Sequence, residues 1–167
     1  MEINSVITAL KEMSQDSSYK IYVPGQLPMD VTFQLNEGAT LNELEQLNKL
    51  NYTIPKDYLR FLNEINGATL FDDGKYIQKC KIYSIQEMFH WRKFLRDSGF
   101  FSNWDKFLPI LDLQDIGQLM IDLERYENKE DYLLYPDESN NYFHIGFTEW
   151  LNNYLVTNGS EFWYIKS

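Results

Sequence analysis

The chain has 167 residues, which at roughly 150 residues per domain predicts one domain, and its 44% hydrophobic, 24% charged and 16% aromatic content excludes disordered, collagen-like and low-complexity classes. A net charge of −10 and a sequence pI near 4.6 argue against nucleic acid and anionic membranes, because both draw their affinity from Lys and Arg. A basic protein partner is favoured instead.

Ile3, Val6, Ile7 and Leu10 recur at helical spacing, so residues 2–13 read as an amphipathic helix. Ile21–Val23 reads as a short strand ended by Pro24-Gly25, and Val31, Phe33 and Leu35 alternate with polar residues as in a half-buried strand. Thr40 and Glu43 match a capping box, with Leu41, Leu44, Leu47 and Leu50 as the apolar stripe that follows. Pro55 suits the first turn of the next helix. Its buried face is expected to be Tyr58, Leu59, Leu62 and Ile65, and Asn66-Gly67 is its stop signal. Ala68–Phe71 and Tyr76–Tyr83 read as strands around the Asp73-Gly74 turn.

Ser84 and Glu87 give a second capping box, opening a helix to about Arg96 that Gly99 closes. Phe107–Leu111 and Leu119–Leu123 read as strands around residues 112–117. Tyr132–Tyr135 and Tyr142–Ile145 are shorter strand candidates. Phe147, Trp150, Leu151, Tyr154 and Leu155 make the last amphipathic helix, and Phe162–Ile165 reads as a closing strand. The result is one α+β domain over residues 1–167, a mixed, mostly antiparallel sheet flanked by four to five helices.

The ordered motifs resemble the SUKH superfamily, the Smi/Knr-type domain. Leu41-Asn-Glu-Leu-Glu, then Ile54-Pro-Lys-Asp-Tyr-Leu-Arg-Phe-Leu, then Asn66-Gly67 are similar to its opening helices. Ile82-Tyr-Ser-Ile-Gln-Glu-Met with Trp91 resembles its strand and Ser-x-x-Glu helix. Leu108-Pro-Ile followed by Met120-Ile-Asp-Leu resembles its central strand pair, and Phe147-Thr-Glu-Trp-Leu its closing helix. The resemblance covers about residues 40–156, with Ile54 where Leu is usual and Ala68 in place of a second Gly. It leaves residues 1–39 as an N-terminal extension packed on the core. It implies a non-enzymatic bacterial immunity protein that binds and neutralises a toxin domain, often a nuclease or deaminase. The alternative is a regulatory protein-interaction module of the same fold.

The residues themselves offer little catalysis. Cys80 is the single cysteine, so no internal disulfide forms. On the apolar side of its strand it reads as core rather than as a nucleophile paired with His90 or His144. No His-x-x-x-His, Cys-x-x-Cys or calcium-loop spacing occurs, so no metal or cofactor is expected. Asp112 and Asp115 bracket a turn and read as loop capping rather than cation ligands. Arg92, Lys93 and Arg96 read as a solvated face. The first residues lack a basic start and an apolar run, and no stretch approaches the roughly 18 apolar residues of a membrane span, which predicts a cytoplasmic location. The oligomeric state is left open.

Charge distribution is the most informative feature. Residues 1–108 hold 14 acids against 12 bases, whereas residues 109–167 hold 11 acids and three bases. Nine acids fall within residues 112–138, opposed by Arg125 and Lys129 and interleaved with Tyr126, Tyr132 and Tyr135. Such a run solubilises, but it also suits a basic partner, with charges steering encounter and tyrosines anchoring it. Asp112, Asp115, Tyr135, Asp137 and Glu138 are the candidate contact residues for a toxin domain.

Overall fold

The computed structural model describes residues 2–22, 27–75, 80–99, 102–114, 116–135 and 141–164. Both capping boxes form. Thr40 and Ser84 accept from the backbone N–H of Glu43 and Glu87, and each glutamate accepts in return from the cap residue's N–H. They open α2 (Leu41–Leu47) and α4 (Ile85–Ser98), the latter closed by Gly99 at φ 67°. Left-handed backbone of this kind suits a residue without Cβ. The remaining helices are α1 (Ile3–Met13), α3 (Lys56–Glu64), α5 (Leu123–Glu127) and α6 (Phe147–Val156).

The strands are β1 (Tyr19–Ile21), β2 (Met29–Leu35), β3 (Ala68–Asp72), β4 (Cys80–Ile82), β5 (Phe107–Leu113), β6 (Gly117–Asp122), β7 (Leu133–Leu134) and β8 (Tyr142–Phe143). They form one sheet in the order β1 to β8, and every ladder is antiparallel between consecutive strands. Its two faces differ in kind. One row across the sheet runs Leu35, Ala68, Ile82, Leu111, Leu119, and the next runs Gln34, Thr69, Lys81, Asp112, Gln118. Alternation puts the apolar row against the helices and the polar row on the other side. Of the polar row, none is buried; of the apolar row, all but Leu35 are.

The apolar face lies under α1, α3 and α6, which contact one another. Tyr58, Phe61, Phe147 and Trp150 are fully buried there, with the Phe147 ring edge-on to Tyr58 and Phe61 at 4.8 and 5.4 Å. A smaller cluster of Leu95, Phe107, Met120 and Leu134 sits apart from this core, with Trp104 and Tyr142 against it. Gly38 is needed for space, since a Cβ there would stand 2.1 Å from the Asn63 carbonyl oxygen.

Several sequence expectations change. Leu41 is 79% exposed, because as the first residue of α2 it precedes the turn that reaches the core. The buried face of α3 is Tyr58, Phe61 and Leu62, while Leu59 is half-buried. Leu123 starts α5 rather than ending β6, since Asp122 accepts from the Arg125 N–H and turns the chain into a helix. With it, the described residues hold six α-helices. Phe162–Tyr164 is a 3-10 turn, not a strand. Its Phe162 and Trp163 rings pack on Trp150 at 6.1 and 6.0 Å, and this contact replaces sheet pairing. Arg92 is not solvated but 7% exposed. The expected strand residues Val23 and 76–79 lie outside the described residues.

Candidate protein-binding surface

The acidic run is stitched into the fold as well as displayed by it. Asp122 is fully buried at the end of β6. One carboxylate oxygen caps α5, and the other accepts from the Tyr142 hydroxyl at 2.9 Å and faces Lys106 Nζ at 3.2 Å. Lys106 also meets Glu124 at 3.1 Å. Burial opposes its charged form, but the bonds to Glu124 and Asp122 outweigh that and raise its pKa. Arg125 lies 4.1 Å from the Tyr142 ring centre, pairs with Glu130 at 3.0 Å and donates from Nε to the Asp131 carbonyl at 2.6 Å. Burial, then the bond to Asp122, pushes the Tyr142 hydroxyl up to about 12.

Beside this network the run reaches the rest of the chain. Glu127 accepts from the Thr53 N–H at 2.7 Å, and the Tyr126 hydroxyl accepts from the Lys56 N–H at 3.3 Å. The Tyr132 hydroxyl accepts from the Phe147 N–H at the start of α6, and burial followed by nearby Asp57 pushes it up to about 12. The rings of Tyr126 and Tyr132 meet edge to face at 5.1 Å. With Thr53, Glu127, Lys129 and Glu130 they line a depression of about 540 Å³. Two tyrosines with fixed hydroxyls, rimmed by carboxylates, give an amphipathic recess with little side-chain entropy left to lose.

Of the residues singled out from sequence, Asp112 and Tyr135 are among the described residues, and these two do not share a patch. Asp112 stands in the polar row between Lys81 and Gln118, and partial burial raises its pKa. Tyr135 follows β7 and stacks on Phe143 at 3.9 Å with planes 6° apart. Phe143 pairs with Leu133 in the apolar core, so Asp112 and Tyr135 serve opposite faces of the sheet. Asp115, Asp137 and Glu138 lie outside the described residues. Sequence reasoning missed the Tyr126–Tyr132 recess as a shape, although it had noted both tyrosines among the acids.

Cys80 is fully buried, and burial, then Asp112, pushes its thiol well above the ordinary range. That setting disfavours the thiolate a nucleophile requires. His144 is exposed and pairs with Asp131. Among the described residues no three His, Cys, Asp or Glu side chains converge as a metal set, and no helix is long and apolar enough to cross a membrane.

A model of the SMI1 / KNR4 family (SUKH-1) matches residues 38–153. The chain belongs to this family. It is also similar to two proteins of Bacillus subtilis (strain 168). The uncharacterized protein YobM is 30% identical over 141 residues, covering 80% of this chain and 74% of that one. The uncharacterized protein YnaB is 22% identical over 143 residues, covering 82% and 90%. The SUKH-1 match opens at Gly38, beside the Thr40 cap, and ends inside α6. It therefore contains the acidic run and its recess, while α1, β1 and β2 lie before it. SUKH-1 is a family associated with protein–protein interaction.

Proposed function

We propose that this SUKH-1 chain is a non-enzymatic immunity protein that neutralises a basic, nuclease-like toxin domain by stoichiometric binding. Family membership carries the reading, and the recess supports it. Tyr126 and Tyr132 supply aromatic anchors, and the acids of residues 112–138 supply long-range attraction. The primary test is co-expression with a toxin domain encoded in the adjacent reading frame, read as survival and as a co-purifying complex. Failure with every such toxin would favour a regulatory interaction module instead.

Steering by the acidic run has its own signature. The variant Asp137→Lys/Glu138→Lys is expected to stay within about half a kcal/mol of the parent in stability and to associate more slowly. Screening acts over about 8 Å at physiological ionic strength, so the parent's on-rate should fall as salt rises, and the variant's should fall less. Surface plasmon resonance at two salt concentrations measures both. An on-rate indifferent to salt and to the double reversal would reduce the run to a solubilising surface.

Binding without chemistry predicts indifference to the two side chains best suited to catalysis. Cys80→Ser and His144→Gln should each leave protection intact in the co-expression assay. Loss of protection by a variant that remains folded and abundant would make the protein an enzyme.

A further inference from the structure

The face of α4 read from sequence as solvated instead lines a cavity. Phe89, Arg92, Lys93 and Arg96 follow the i, i+3, i+4, i+7 spacing of one helix side. They face Trp104 from the 3-10 turn at Trp104–Lys106 and Lys49 from the turn after α2, around a cavity of about 310 Å³. Two separate segments, α4 and the turn after α2, therefore bring four of the chain's 15 Lys and Arg residues to one opening, in a protein whose net charge is −10. The carboxylate among the lining residues is Asp105.

The cation at the base of this group is incompletely satisfied. Arg92 is 7% exposed. One of its terminal nitrogens donates to the Asp105 carbonyl oxygen, and its Nε–H meets no acceptor among the described residues. A buried guanidinium with an idle donor is costly unless an acceptor arrives. Arg92 and Arg96 also sit 5.6 and 5.9 Å from the Trp104 ring centre, which holds both guanidinium groups at the cavity. Arg96 pairs with Asp97 at 2.8 Å, but a fork of five donors has capacity beyond that one partner.

We propose that this cavity binds a small phosphomonoester. Guanidinium forks match the oxygens of phosphate. A dianion draws more from several converging cations than a carboxylate monoanion does, and four cations against one carboxylate leave that attraction in excess of repulsion from Asp105. The volume suits a small ligand, and the Trp104 side gives its organic part an apolar wall. The site is separate from the tyrosine recess and does not depend on the immunity reading.

The experiment is calorimetric titration of the whole chain with phenyl phosphate, inorganic phosphate and benzoate. Both phosphates should bind with one-to-one stoichiometry, phenyl phosphate more tightly, and benzoate more weakly than either. Lys93→Gln/Arg96→Gln alters two exposed side chains, so it should fold as the parent does, and it should weaken phenyl phosphate by at least about tenfold, as expected for losing charge-assisted bonds. Lys49→Gln, on a different segment, should weaken it as well. Absence of binding by both phosphates, or equal affinity in parent and double variant, would overturn the site. Benzoate binding as tightly as phenyl phosphate would overturn the phosphomonoester assignment.

Discussion

Replacing Asn66 by Ala is expected to lower the unfolding free energy by about 2.5–6 kcal/mol, the sum of a lost charge-assisted bond and a stranded buried donor. Asn66 is buried, and its side chain joins two helices. Its Oδ1 accepts from the N–H of Ile85, the first residue of α4, at 2.9 Å, and its Nδ2 donates to Glu43 Oε1 on α2 at 3.0 Å. Its backbone adds two further ties, donating to the Glu37 carbonyl and accepting from Asn36 Nδ2. Truncation removes the acceptor of the Ile85 N–H at a buried position. Urea unfolding should show a lower midpoint at unchanged slope. A loss under about half a kcal/mol, the size of an ordinary surface change, would mean that Asn66 only ends α3.

The same site makes stability depend on pH. The Thr40 backbone N–H, then its hydroxyl, hold the Glu43 carboxyl below its ordinary pKa, and Asn66 adds to them. A group depressed in the folded state stabilises above its unfolded value, and the contribution is lost as pH falls through the folded one. The loss therefore begins below about pH 4.3, the unperturbed Glu value. Asn66→Ala should shrink that acid-side slope while leaving the rest of the profile unchanged.

Leu62→Ala is expected to cost about 2–5 kcal/mol, the range for truncating a buried leucine. The residue is fully buried on α3, on the helix face whose Tyr58 and Phe61 rings lock against Phe147. Rigid rings collapse poorly into a void, so the upper half of the range is expected. Leu59, half-buried three residues earlier on the same helix, serves as the control, and its truncation should cost distinctly less. Thermal unfolding of the two variants compares them directly. Equal losses would mean that α3 packs on a different face.

Signals confined to a few neighbouring residues were legible in the sequence. Both capping boxes, the left-handed Gly99 and the alternation of β2 follow from local bonding and side-chain period, and each formed where expected. What could not be read required a partner far along the chain. Asn66 looked like a helix stop because its contacts, Glu43 and Ile85, lie 23 and 19 residues away. Arg92 looked solvated because burial by Trp104 and Asp105 depends on a turn after the helix has ended. Leu123 continued an apolar run, yet the chain turned there because the carboxylate of Asp122 captured a backbone donor. The tyrosines of the acidic run were visible as composition. Their enclosure of a recess was not, since Thr53 and Lys56 approach from another part of the fold.

A sheet in which, among the described residues, each strand pairs with its neighbours in the chain has a consequence for synthesis on the ribosome. Each new strand can dock on the one before it as it emerges, with no wait for a distant segment. The part of the apolar face that α6 covers stays open longer than the part under α1 and α3, because Phe147, Trp150 and Leu151 of α6, all fully buried, are translated after the strands they cover. The nascent protein is therefore a growing sheet whose greasy side, covered in part by α1 and α3, stays partly open to water and to chaperones until α6 emerges.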